Sequence, residues 1–244
     1  MQQYYGDEVR IIPKNAKKGR KNRVYRPLFS KKFVVSVIVL CVVALLFTCF
    51  YSPLPSDRAR IFTRDWFFVK THSEKEYEKI ALESVNAKER GGSGYIINDG
   101  NFVLTVAVFD SETNAKKVAD KTDGAKVFKV TLLGKVVDKN ETLVKALNIH
   151  GEIYQNLHSV LSEYETHKNS EAFVLFVAQT WANETKKLQA QLIRENYPLV
   201  YDYLFKIKES LERQINDATF SVSSRIRYAL CEIIYERAKL SKIL

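Results

Sequence analysis

"SEKEYEKIA" at residues 73–81 and "SETNAKKVA" at residues 111–119 share one pattern: Ser-Glu, four variable residues, then Lys, Ile or Val, and Ala. A serine before an acidic first turn favours the start of a helix, because its hydroxyl can accept a hydrogen bond from a free backbone N–H. Ser73 with Glu76 three residues later predicts a capping box, and Ser111 predicts the cap of a second helix. The repeated pattern predicts two similar strand-to-helix corners in one fold.

Four segments rich in aromatic and β-branched residues flank the two helices and predict strands. They are DWFFVKT (65–71), YIIN (95–98), NFVLTVAVF (101–109) and AKVFKVTL (125–132). Glycines in RGGSG (90–94) and in the Asp-Gly pairs at 99–100 and 123–124 predict turns. The order β-α-β-β-α-β predicts a ferredoxin-like α+β unit, with an antiparallel sheet, both helices on one face and the other face bare.

A charge-free segment, FVVSVIVLCVVALLFTCFY (33–51), predicts one transmembrane helix. At 1.5 Å per residue it spans about 28 Å, close to the roughly 30 Å of a bilayer core. Residues 1–32 carry ten of the 38 Lys and Arg residues and two of the 28 Asp and Glu residues. Basic residues stay on the cytoplasmic side. The tail is therefore expected in the cytoplasm, and residues from 57 onward outside the cell membrane, after a linker at 52–64.

The charge distribution argues against a nucleic-acid partner. The tail holds +8 of the net charge of +10, so the rest of the chain is nearly neutral. Nucleic-acid binding needs basic residues concentrated on a folded face. The basic tail is instead expected to flank the membrane.

Residues 139–244 predict an antiparallel helical bundle. The first helix has apolar residues at alternating spacings of four and three, the pattern of a packing seam. These are Leu143, Leu147, His150, Tyr154, Leu157, Leu161 and Tyr164. Three further helices are predicted at 171–194, from Asn196 to Ile215, and after the SVSS cap at 221–224. The second is expected to bury Phe173, Phe176, Val177, Thr180, Trp181, Leu188 and Leu192. The seam of the first helix is a core contact or, as the alternative, a partner-binding surface.

The sequence contains no motif of an enzyme. It lacks a phosphate-binding loop, a dinucleotide fingerprint and a nucleophile elbow, and its four histidines show no metal-ligand spacing. Cys231 is the one cysteine after the membrane segment, in an apolar helical stretch, and is expected to be buried. We therefore expect a non-enzymatic protein without metal or cofactor.

The segment from 65 to 132 resembles a SPOR domain, a small bacterial module that binds peptidoglycan glycan strands at division or sporulation septa. Phe67-Phe68-Val69-Lys70-Thr71-His72-Ser73 aligns with the family's first strand. Its second half aligns with Phe102-Val103-Leu104-Thr105-Val106-Ala107-Val108-Phe109, followed by DSET and Asn114-Ala115. The C-terminal stretch SSRIRYALCEIIYE also resembles the helical extensions of SPOR-containing membrane proteins of clostridia and related Firmicutes. The predicted SPOR-like domain covers 65–135, and the bundle covers 139–244.

The resemblance implies peptidoglycan binding through the bare sheet face. That face would carry Phe68, Lys70, Val103 and Thr105, with Asn101 at the start of its strand. Phe68 would stack on sugar rings, while Lys70 and Asn101 would form hydrogen bonds. An exposed sheet without a ligand is the alternative interpretation of the same face.

A second function belongs to another class, an assembly scaffold of a division or sporulation complex without glycan binding. Val103 and Thr105 stand where the SPOR family carries arginines, which favours this alternative. A helical bundle on a single-pass anchor also suits docking of protein partners. The sequence predicts self-association or co-purifying membrane partners in that case.

Overall fold

A computed structural model describes residues 56–244, which belong to one compact unit. The strands are β1 (Arg58–Ile61), β2 (Arg64–Glu74), β3 (Tyr95–Asn98), β4 (Phe102–Phe109), β5 (Lys126–Leu132) and β6 (Lys135–Asp138). The helices are α1 (Tyr77–Glu89), α2 (Glu112–Ala119), α3 (Glu141–Glu165), α4 (Glu171–Gln191), α5 (Pro198–Asn216) and α6 (Val222–Ile243). The predicted tail at 1–32 and transmembrane helix at 33–51 lie outside the described residues. None of the helices found from residue 56 onward is both long enough and apolar enough to cross a membrane.

The predicted α+β class is confirmed, with six helices and two antiparallel sheets in the described part of the chain. The larger sheet has the order β3-β4-β2-β5, and every neighbouring pair is antiparallel. This is the strand order of the predicted ferredoxin-like βαββαβ unit. Phe68 in the central strand β2 pairs with Val108 of β4 and Phe128 of β5.

The two similar sequence patterns begin helices differently. Ser111 is the N-cap of α2, as predicted, although its side chain accepts no capping hydrogen bond. The capping box predicted at Ser73 is wrong, because the N-cap of α1 is Glu76. Ser73 lies in β2, which stays paired with β4 as far as Glu74 and Phe102. Continued pairing in the sheet thus delays the first helix.

A short two-stranded ribbon of β1 and β6 was not predicted. Residues 58–61, within the predicted linker, pair antiparallel with residues 135–138. An ion pair of 2.9 Å joins Arg58 to Asp138 at one end. At the other end a Cβ on Gly134 would lie 2.8 Å from the carbonyl oxygen of Ile61, so the ribbon requires a glycine there. Two four-residue strands carry too little periodicity to be recognised in the sequence.

The four C-terminal helices pack on one another. The side chains of Asn140, Ser170 and Ser221 each accept a hydrogen bond from the first turn of α3, α4 and α6, respectively. Contacts between α3 and α6 run in opposite directions along the two helices. Arg237 Nε donates to the Leu147 carbonyl at 2.9 Å, and Arg227 Nη2 donates to Glu165 at 2.6 Å. The predicted seam of α3 is buried in the core except for Tyr164, which packs against it.

The predicted bare sheet face is instead covered by the bundle. Helix α6 lies against it, with the Ser224 hydroxyl donating to the Gly92 carbonyl at 2.8 Å and the Tyr235 hydroxyl to the Asn98 carbonyl at 3.2 Å. The ring of Tyr95 in β3 meets that of Tyr228 in α6 at 5.2 Å. One hydrophobic core therefore spans both predicted domains. Bundle helices have apolar residues to bury, and the aromatic sheet face offers the area they need.

Candidate functional site

Two of the five predicted glycan-binding residues lie in the hydrophobic interior. Phe68 is 0% exposed, and its ring stacks on that of Phe128 at a centroid distance of 5.4 Å. Thr105 is also buried, and its hydroxyl donates to the Tyr95 carbonyl at 2.9 Å. The predicted assignment of both side chains to one face is consistent with this packing. That face is not accessible to a glycan strand, because the bundle covers it.

The other three predicted residues are more accessible but do not form one site with them. Lys70 is half-buried, with Nζ 5.7 Å from the ring centroid of Phe128. Val103 is half-buried and packs against the main core. Asn101 is exposed in the β3–β4 turn, where its carbonyl accepts from the Asp99 N–H at 3.1 Å. The structure thus brings Phe68 and Lys70 to one partner, Phe128, and leaves Asn101 in the turn.

Cys231 shows how tightly α6 closes this face. Its thiol is buried, as predicted, and lies next to Thr105 of β4 and to Ser93 in the connection before β3. Burial raises the pKa of Cys231 to about 12, while hydrogen bonds with Ser93 and Thr105 act in the opposite direction. A thiol in this environment stays protonated at neutral pH and is unreactive. The residue serves packing between α6 and the sheet.

The opposite face of the sheet carries an open cleft between α1 and α2, called here the α1–α2 cleft. It encloses about 310 Å³. Its floor is apolar and comes from β4, with Leu104, Val106 and Ala107. Its polar lining comes from α1 and the residue after it, from the segment after α2, from β2 and from the bundle helix α6. These residues are Glu83, Asn86 and Arg90; Thr122 and Asp123; Thr71 and His72; and Arg227. Phe109 adds an aromatic ring.

The composition of the α1–α2 cleft suits a neutral polar ligand such as a sugar. Asn86 Nδ2 donates to Glu83 at 3.5 Å, so an amide and a carboxylate face the gap together. Apolar sugar faces pack on aromatic rings, and hydroxyl groups need paired donors and acceptors. Sequence reasoning missed this cleft because α2 has only eight residues. A short helix leaves part of the sheet uncovered, and only the packing shows where.

A third surface feature contradicts a prediction about the bundle. Phe173 and Phe176 of α4 were expected in the core, yet they are 43% and 65% exposed. The first half of α4 buries smaller residues instead, Val174, Ala178 and Ala182, whereas Leu188 is buried as predicted. The large apolar residues and the small ones both recur at helical spacing in α4. The sequence prediction placed the larger ones in the core because they are more apolar. The tertiary packing selected the small ones, which let the helices approach closely.

No three His, Cys, Asp or Glu side chains between residues 56 and 244 are grouped so that they could hold a metal ion. Comparison of the chain with protein-family models, with curated proteins and with solved structures finds no match.

Proposed function

We propose that this chain is a non-enzymatic assembly scaffold of a bacterial cell-division or sporulation complex. In this proposal residues 33–51 anchor it in the cell membrane, the basic tail lies in the cytoplasm, and residues 57–244 act outside the membrane. The bundle docks a protein partner or a second copy of the chain. The proposal needs no metal or cofactor, no nucleic acid and no glycan on the sheet.

The observation that carries the proposal is the exposed pair Phe173 and Phe176 on α4. The two residues are three positions apart on one helix and so project from neighbouring sites on its surface. Exposed aromatic side chains are costly in water, and at protein interfaces they supply much of the binding free energy. Helix α4 packs on α3 and α5 through its other face, which leaves this pair available for a partner.

Packing of the bundle against the sheet supports the same function. It joins two small modules into one compact unit with a shared core. Side chains in a close-packed core hold the outer surfaces in defined relative positions, which an assembly scaffold requires. The same packing covers the sheet face that the SPOR resemblance implied for glycan strands.

The test uses the full-length chain in mild detergent, with Phe176→Glu and Phe173→Glu as separate variants. Association is measured by analytical ultracentrifugation and by co-purification of membrane partners from the native host. Loss of one central aromatic contact of about 2 kcal/mol weakens binding roughly thirtyfold. Both substitutions are exposed, so the free energy of unfolding is expected to change by less than about 0.5 kcal/mol.

The matched control is Phe205→Glu, at another exposed phenylalanine of the bundle on α5. It makes the same chemical change away from the pair and is expected to leave association intact. A native chain that stays monomeric and retains no membrane partner would contradict the scaffold function. Equal effects of all three substitutions would remove the assignment to the Phe173–Phe176 pair.

The α1–α2 cleft favours a second candidate function, the peptidoglycan binding implied by the SPOR resemblance. In that case the glycan strand would use this cleft instead of the covered face.

The full-length chain is tested for retention on amidase-treated glycan strands. Asn86→Ala should abolish retention, whereas Asn169→Ala, on the exposed α3–α4 connection, should not. Retention that is lost with Lys70→Ala but not with Asn86→Ala would return the site to the first-predicted face. Retention equal to that of an unrelated protein would exclude the function.

A further inference from the structure

A cavity of about 200 Å³ lies where the β1–β2 turn, the end of β5, α3 and α6 meet. Two arginines line it, Arg64 from the start of β2 and Arg237 from α6. His150, Asn148 and Gln155 of α3 complete much of the polar lining. This cavity belongs neither to the α1–α2 cleft nor to the phenylalanine pair on α4.

Arg237 is the unusual residue, because it is only 2% exposed and lacks an acidic partner among residues 56–244. Its Nε donates to the Leu147 carbonyl at 2.9 Å, but buried Nη1 has no hydrogen-bond partner in the described part of the chain. Burial lowers the pKa of Arg237, yet a guanidinium stays charged in proteins. An unpaired buried charge is strongly unfavourable, so an anion at this position would be stabilising.

The other buried arginine of α6, Arg225, differs from Arg237 because it has an acidic partner, although its Nε also lacks a hydrogen-bond partner among the described residues. Arg225 is buried to a similar degree. It donates to Glu171 at 2.6 Å and to the carbonyls of Gln214 and Ile215 at 3.3 and 3.2 Å. The Arg225 guanidinium thus binds a carboxylate and two backbone carbonyls near the C-terminal end of α5. Arg237, by contrast, donates to one carbonyl and lines a cavity.

Arg64 brings a second positive charge to the same cavity. Its guanidinium lies 4.6 Å from the ring centroid of Trp66 and forms a long ion pair of 3.6 Å with Asp110. A Cβ on Gly151 would lie 2.9 Å from Arg64 Nη1, so the glycine in the middle of α3 leaves space that this group uses. Glu152 at the rim is exposed and forms no ion pair with either arginine.

We propose that this cavity binds a small oxyanion of the phosphate or carboxylate class, held between Arg64 and Arg237. Guanidinium groups bind such anions through charge-assisted, often bidentate hydrogen bonds. The cavity volume admits a phosphate ion or the carboxylate end of a small molecule. A bound anion would also tie β2 to α6, across the boundary between sheet and bundle.

The test measures binding of inorganic phosphate and of acetate to the full-length chain by isothermal titration calorimetry, at an ionic strength held constant with chloride. Arg64→Gln removes one charge from the cavity. Gly151→Ala moves the Arg64 guanidinium without changing any charge. Each is expected to weaken binding roughly ten- to a hundredfold, the effect of one hydrogen bond to a charged group.

Arg194→Gln is the matched control, since it removes an equivalent charge from an exposed arginine on the surface. It is expected to leave binding unchanged. Arg237→Met should abolish binding while the protein stays folded, because replacement of an unpaired buried charge by an apolar group is tolerated. Binding of only one of the two probes would select the anion class. Absence of binding to both, or equal weakening by Arg64→Gln and Arg194→Gln, would overturn the proposal.

Discussion

The two faces of the four-stranded sheet are buried by different partners and to different extents. The face toward the bundle contributes Trp66, Phe68 and Val108 to a core that continues through α3, α4, α5 and α6. The face toward α1 and α2 has a small cluster of its own, in which Val69 and Ala115 are fully buried and Ala119 is 9% exposed. The bundle face therefore supplies most of the stability, and the other face has the open cleft. In this βαββαβ unit the main packing partner of the sheet is therefore the bundle, and not the unit's own helices α1 and α2.

Removal of the bundle is the strongest way to break this comparison, and we expect it to abolish folding. A fragment of residues 57–135 would expose Trp66 and Phe68, which are both fully buried in the chain. An apolar face of this size leads to aggregation or a loose compact state. Near-ultraviolet circular dichroism and dye binding to exposed apolar surface would detect it. A soluble fragment with a cooperative unfolding transition would show that the sheet is stable with one face bare.

Neighbouring residues of β2 sharpen the comparison with a smaller effect. Phe68 points into the bundle-side core, and Phe67 packs half-buried against the α1–α2 side. Phe68→Ala should lower the free energy of unfolding by about 3–5 kcal/mol, and Phe67→Ala by roughly 1–2 kcal/mol. Urea unfolding of the full-length variants measures both. Equal losses would mean that the two faces contribute alike.

The third way to sharpen the comparison concerns pH and uses His150, which contacts Trp66 at a ring distance of 6.0 Å on the bundle side. Burial, followed by the charges of Arg237 and Arg64, lowers the pKa of His150 to about 3. An unfolded histidine titrates near 6.5, so the unfolded state binds the extra proton between these values. The contribution of neutral His150 to the free energy of unfolding is therefore fully present above about pH 6.5. It is lost as the pH falls toward 3, with a slope of up to about 1.4 kcal/mol per pH unit.

The check for this prediction is the pH dependence of unfolding in His150→Leu. The variant should lose that part of the acid slope, whereas His72→Leu, at an exposed histidine of β2, should keep it. Identical slopes in the native chain and His150→Leu would mean that water reaches His150 and that the bundle does not seal this side.

Local sequence signals predicted the elements well where one segment decides its own structure. YIIN became β3 with the predicted bounds, and the Ser221 cap starts α6 as expected. The glycines after α1 include Gly94, whose φ is +61° and whose Cβ would lie 2.6 Å from the Ser84 carbonyl oxygen. Such requirements are local, so the sequence shows them directly. Ser73 is the exception, since pairing of β2 with β4 overrides its capping signal.

The candidate sites could not be predicted in the same way, because they depend on which apolar faces meet. The resemblance to a SPOR domain implied the glycan face. Alternation along a strand shows which side chains share a face, but it does not show what covers that face. Arg237 lies four residues after Ile233, on the same buried face of α6. This spacing in the sequence indicates that the charge of Arg237 is buried. The sequence does not show that Arg64 and Gly151 lie beside the same cavity.

By itself the sequence determined the α+β class, the order of the strands and helices between residues 65 and 132, and the four helices that follow, because periodicity, caps and turns act over a few residues. The tertiary structure alone decided that α6 closes the sheet, that Phe173 and Phe176 face outward and that two arginines share a cavity. Burial is a property of pairs of surfaces, and each pairing joins residues that are distant in the chain.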